Sequence, residues 1–87
     1  MKKIIDGKKY STNTSKMLAI WKQEKTETLY RKDTGEFFLH ISETNIRQIA
    51  PTEKITPIGE STAKMWAEQH VDCDHYESIF GEIIDGI

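Results

Sequence analysis

Cysteine occurs once in this chain of 87 residues, at Cys73, so no internal disulfide can form. Small secreted domains usually lean on several disulfides to offset a thin core, and a reducing, cytoplasmic setting is therefore expected. Long apolar runs are missing too: hydrophobic residues make up 37% of the chain, and none of their runs approaches the roughly 18 residues of a membrane span. The stretch Met1-Lys2-Lys3-Ile4-Ile5-Asp6-Gly7 lacks the apolar segment of a secretory signal, which again favours a soluble protein. Proline appears only at Pro51 and Pro57, and no Gly- or Ser-rich linker, repeat or low-complexity tract divides the sequence. Residues 1–87 read as one domain. A domain of this size buries only about 60–65% of the surface its unfolded chain exposes, so recognition by a surface is favoured over chemistry in a deep cleft.

Acidic and basic residues nearly balance, 14 against 12, but they are segregated along the chain. Residues 1–32 hold nine basic and three acidic groups, and residues 33–87 hold three basic and eleven acidic ones. From Glu60 onward Lys64 is the only Lys or Arg against Glu60, Glu68, Asp72, Asp74, Glu77, Glu82 and Asp85. That end should repel nucleic acid and attract a basic protein surface, although carboxylates on helices also serve solubility alone.

Local patterns predict an α+β fold. Asp6-Gly7 lies between short apolar stretches and suits a tight hairpin turn that needs positive φ at both central residues. Ser11 to Ser15 form a turn-prone cluster, and Met17 to Trp21 read as a strand. Thr28–Lys32 and Glu36–Ile41, joined by Asp33-Thr34-Gly35, form the best hairpin signal. Alternation places Phe37, Leu39 and Ile41 on a core face with Leu29 opposite them, and Phe38 and His40 on the other face. Residues 42–53 read as an irregular connection in which Ile46, Ile49 and Ala50 permit one helical turn. Lys54–Ile58 reads as an edge strand, because Pro57 cannot donate to a ladder.

Ala63, Trp66, Ala67 and His70 recur at the spacing of one buried helical stripe, which makes Trp66 the expected core anchor. Asp72 is placed to cap a second helix with Cys73, Tyr76, Ile79 and Phe80 on one face and Gly81 as its stop. The expected architecture is a small curled antiparallel sheet spanning residues 2–58 against a C-terminal pair of short helices, about 60–70 and 73–80. Ile83, Ile84 and Ile87 either close over the core or form a contact strip.

Catalytic and metal-binding signatures are few. His70-Val71-Asp72-Cys73-Asp74-His75 brings a thiol and two imidazoles together, but a structural zinc site draws four ligands from two separated clusters, and His40 stands alone. A thiol nucleophile at Cys73 would need a lowered pKa and an oxyanion hole, for which no motif is present. There is no Gly-rich phosphate loop and no nucleophile elbow. The expectation is a protein without enzymatic activity, metal or cofactor. Nucleic-acid binding is the rival class, since Lys8, Lys9, Lys22 and Arg31 cluster in sequence with Trp21 and Tyr30, and aromatics on a basic sheet can stack bases.

The segments Lys3–Tyr10, Glu27–His40, Lys54–Ile58, Ala63–Glu68 and Asp74–Gly81 resemble small accessory proteins carried by phages, plasmids and conjugative elements of Firmicutes. The likeness covers most of the chain through fold-forming residues. It implies a mobile-element accessory protein acting in a bacterial host cell, a setting that includes anti-CRISPR inhibitors of Cas nucleases. A Cas9-type effector exposes Lys/Arg-lined channels for guide and target. In that reading Glu60, Glu68, Asp72, Asp74, Glu77, Glu82 and Asp85 are the carboxylates that contact the channel.

Overall fold

In a computed structural model, the structure describes residues 1–43 and 52–81. The order of elements is β1 (Lys2–Ile5), β2 (Lys8–Ser11), β3 (Lys16–Lys22), β4 (Lys25–Arg31), β5 (Phe37–Glu43), β6 (Thr52–Ile58), α1 (Glu60–His70) and α2 (Cys73–Phe80). The α+β class expected from the sequence is the one found, with all strand pairings antiparallel and both helices after the strands.

Turn chemistry places the hairpins where the sequence predicted them. Asp6 and Gly7 adopt φ of 53° and 75°, the left-handed pair that matches the twist of a two-residue hairpin, and β1 pairs with β2 from Lys2↔Ser11 to Ile5↔Lys8. Around Asp33-Thr34-Gly35, the Lys32 amide donates to the Glu36 carbonyl at 2.8 Å and the Gly35 amide to the Lys32 carbonyl at 2.8 Å. Leu29 stands opposite Leu39, as the hydrophobic pattern required.

The strands do not all join one sheet. β1 and β2 form a two-stranded ribbon of their own, while β3-β4-β5-β6 form a four-stranded sheet with β3 and β6 at its edges. Both faces of the larger sheet are covered. On one face Leu18, Ala19, Leu29, Phe37 and Leu39 pack against Ala63, Trp66, Ala67 and Ile79 of the helices. On the other, Phe38 and Ile55 pack against Tyr10 of the ribbon, with Ile5, Tyr30 and Met1 around them. Phe38, which alternation assigns to the face away from the helices, is fully buried there. The Tyr10 ring meets Phe38 edge-on at 5.5 Å, and Tyr30 stacks on Phe38 at 5.1 Å.

A bulge in β3 shapes the helix-side core. Met17 pairs with Tyr30 and Ala19 with Leu29, so Leu18 is the extra residue. The bulge lets both Leu18 and Ala19 enter the helix-side core, where strict alternation would admit only one. His75 Nε2 lies 2.7 Å from the Leu18 carbonyl, which can only accept, so this ring nitrogen is the donor and α2 is tied to the bulge. Arg31 Nη1 donates to the Ile79 carbonyl at 3.3 Å, binding the last turn of α2 to β4.

Two sequence expectations need correction. Residues 42–53 were expected to be irregular, but Ser42 and Glu43 continue β5, and Thr52 and Glu53 open β6, paired as Ser42↔Glu53 and Glu43↔Thr52. Polar residues are tolerated there because an edge pairing needs backbone groups, not apolar side chains. Ile46, Ile49, Ala50 and the Ile83, Ile84 and Ile87 tail lie outside the described residues. The second correction is Cys73, which is exposed instead of lining the inner face of α2. As the first residue of the helix its Cα–Cβ bond tilts back past the helix start, and the inward stripe begins one turn later with Tyr76, Ile79 and Phe80.

Two polar atoms in this packing have no partner among the described residues, Thr56 Oγ1 and Trp66 Nε1. Thr56 stands opposite Leu39 on the helix-facing side of β6. A buried hydroxyl without a hydrogen bond costs about 1–3 kcal/mol, and valine keeps the shape without the oxygen. Thr56→Val is therefore expected to stabilise the fold by about 1 kcal/mol, read as a rise in Tm of roughly 4–8 °C in a thermal melt.

Candidate protein-binding surface

The helical layer is built by amphipathicity. Ala63, Trp66 and Ala67 of α1 and Ile79 of α2 turn inward, and the carboxylates turn outward. Glu60 and Glu68 are exposed at the two ends of α1, about 12 Å apart along its axis. Asp74 and Glu77, three residues apart, share the outer side of α2 and are both exposed. Glu60 forms an i,i+4 pair with Lys64 at 3.3 Å, and Lys64 also lies 5.9 Å from the Phe80 ring centre. Lys64 is the only Lys or Arg from Gly59 to Gly81, and no ion pair is formed by Glu68, Asp74 or Glu77 among the described residues.

Asp72 has a local task. Its Oδ1 accepts from the His75 backbone N–H at 2.8 Å, the N-cap contact that the sequence predicted. It still adds negative charge to the layer, but its geometry is committed to starting α2. Glu82 and Asp85 lie outside the described residues.

The His/Cys/Asp segment resolves into separate structural roles. His70 stacks on Trp21 at 4.1 Å between ring centres and meets Trp66 edge-on at 5.0 Å, closing the end of the helix-side core. His75 serves the Leu18 carbonyl, Asp72 caps, and Cys73 is exposed. No group of three or more His, Cys, Asp or Glu side chains among the described residues is placed to hold a metal ion.

The six residues of the nucleic-acid reading are dispersed. Trp21 is on the helix side against His70, whereas Tyr30 is on the opposite side of the sheet against Phe38. Arg31 is turned to the Ile79 carbonyl, and Lys8 pairs with Glu36 at 3.1 Å. Only Lys9 and Lys22 stand exposed without such a contact among the described residues. These side chains do not make one stacking platform, because neighbours in sequence on a strand point to opposite faces.

Glu36 joins the ribbon to the main sheet. It accepts from Lys8, from Lys32 Nζ at 3.3 Å and from Thr34 Oγ1 at 3.1 Å, while Lys32 lies 4.4 Å from the centre of the Tyr10 ring. The Lys8 hydrogen bond, with Thr34 and Lys32 behind it, holds the Glu36 carboxyl below its ordinary value, and Glu36 in turn raises Lys8 above its own. A depressed carboxylate contributes stability above its unfolded pKa and loses it as pH falls through the folded one. Acidification through and below the ordinary carboxylate range therefore loosens this tether. Its exposure keeps the contribution small.

No helix among the described residues is long and apolar enough to cross a membrane. Comparison with protein-family models, with curated proteins and with solved structures finds no match for this chain.

Proposed function

We propose that this chain is a non-enzymatic accessory protein of a mobile genetic element that binds a partner through its acidic helical layer. The partner expected is a defence nuclease of the host, a CRISPR effector of the Cas9 type, whose nucleic-acid channel is lined with Lys and Arg. The observation that carries this reading is the concentration of Glu60, Glu68, Asp72, Asp74 and Glu77 on one layer, with Lys64 the sole Lys or Arg there. Carboxylates held on rigid helices can take up positions that phosphates would otherwise occupy, at little conformational cost on binding. Apart from Lys64, which pairs with Glu60, the basic residues lie on other elements, and of these Arg31 reaches the helical layer at the Ile79 carbonyl.

The test is capture of candidate effectors by the tagged protein, together with a DNA-cleavage assay. The expected result is binding at micromolar concentration and loss of cleavage, and absence of binding to any effector from Firmicutes removes the proposal. Replacing Glu68 and Glu77 by Lys should weaken binding more than about tenfold and flatten its salt dependence. The same pair of changes should leave Tm nearly unchanged, since neither side chain is buried or paired among the described residues.

A further inference from the structure

The two most exposed large hydrophobic side chains of the described residues are Ile4, at 77%, and Met65, at 59%. They stand on opposite layers of the molecule. Ile4 belongs to the ribbon and pairs with Lys9, and Lys2, Lys3, Ile4 and Lys9 line a shallow cleft of about 420 Å³. Tyr10 and Ile5 of the ribbon pack towards the main sheet, so alternation turns Ile4 and its cross-strand neighbour Lys9 outward. Met65 lies on the outer side of α1, opposite the Ala63/Trp66/Ala67 stripe, with the unpaired Glu68 one turn further on. Each charged layer thus carries one protruding apolar side chain, and the charges are of opposite sign.

From this complementarity we infer that the outer face of the β1–β2 ribbon is a docking surface for the α1 layer of a second copy of this chain. Met65 of one copy enters the cleft beside Ile4 of the next, and Lys2 and Lys9, which share the Ile4 face, meet the carboxylates around α1. A single chain cannot satisfy both surfaces, because the four-stranded sheet stands between them. The contact is therefore head-to-tail, and each added copy leaves one surface of each kind open. The occupant is a second copy because this chain itself supplies both halves of the match, the lysines beside Ile4 and the unpaired Glu68 beside the exposed Met65. Nucleic acid fits this face less well, since Tyr10 and Tyr30 are packed around Phe38 and offer no ring for stacking. The inference does not depend on the identity of any effector.

Sedimentation equilibrium tests it. At low salt the average mass of the wild-type protein should rise continuously with concentration, and it should fall back to the monomer value at high salt, where exposed charges are screened. Ile4→Glu and Met65→Lys each change an exposed side chain, so both variants should fold as the parent does by circular dichroism, and each alone should be monomeric. Mixed together they should form a one-to-one pair and stop there, because Ile4→Glu keeps an intact helical layer and Met65→Lys an intact ribbon. A wild-type protein that stays monomeric at all concentrations at low salt overturns the inference. So does a self-association that either single variant leaves unchanged, a mixture that remains monomeric, or a binding site for oligonucleotide on this face in place of a second copy.

Discussion

Trp66→Ala is expected to cost about 3–5 kcal/mol, a third or more of the stability the protein has. A domain of this length has a total stability of roughly 5–10 kcal/mol, and few large side chains share the work of its helix-side core. Trp66 is only 6% exposed, between Leu18, Leu29, Phe37 and Leu39 of the sheet and Ile79 of α2 in one cluster. It also meets His70 edge-on, so its loss would leave the Trp21–His70 stack without its inner neighbour. The measurement is chemical denaturation followed by circular dichroism. Trp66→Phe separates the terms: it keeps an aromatic ring and removes an indole N–H that has no partner, so it should cost far less than the alanine change. A Trp66→Ala protein that unfolds at the wild-type denaturant concentration would show that the helices do not depend on this anchor.

Phe38→Ala is expected to have an effect of similar size, about 3–5 kcal/mol, for a different reason. Phe38 is fully buried on the face away from the helices, with Tyr30 stacked on one side and Tyr10 edge-on at another. It is the centre of the small cluster that fastens the β1–β2 ribbon to the main sheet. What remains of the attachment after its removal is a thinned apolar contact of Tyr10, Ile5 and Met1 with Ile55 and Tyr30, the exposed Lys8–Glu36 pair and the Lys32 ammonium over the Tyr10 ring. The ribbon should therefore come free before the helix side melts. Hydrogen exchange should report this as lost protection at Ile5, Lys8 and Tyr10 with protection retained in β4 and β5. An isolated two-stranded ribbon is marginal in water, so detachment and unfolding of residues 2–11 should coincide. If exchange in the ribbon and the rest of the sheet rises together, the two cores form one cooperative unit.

Both predictions bear on the proposed surfaces. Glu68 and Met65 project from the helix that Trp66 anchors, and the cleft beside Ile4 belongs to the ribbon that Phe38 holds down. A loss of binding in either core variant would reflect a displaced layer, which is why the surface changes at Glu68, Glu77, Ile4 and Met65 are the informative ones for function.

Much of the local structure follows from the amino-acid sequence by itself, wherever one or two residues settle the backbone. Asp6-Gly7 dictates a left-handed turn, Gly35 and Gly81 take the positive φ their positions need, and Asp72 starts α2 through its own side chain. The Ala63/Trp66/Ala67 stripe determines the inner face of α1 because a period of 3.6 leaves no other face apolar. The acidic character of the helical layer is likewise a property of sequence order, since Glu60 to Glu77 fall in two consecutive helices.

Tertiary structure decided what strand alternation cannot express. Period two says that Phe37 and Phe38 point to opposite faces, but not that a separate ribbon covers the second face and buries Phe38 as fully as Leu29. The bulge at Leu18 breaks the period itself, and it is held by His75 from a helix 57 residues away. Tyr30 ends on the ribbon side of the sheet while Trp21 and Arg31 end on the helix side, because their strands share one sheet with two buried sides. Placement of the basic ribbon and the acidic helices on opposite sides of that sheet is a consequence of packing: each needs a different apolar face to bury, and the four-stranded sheet has two.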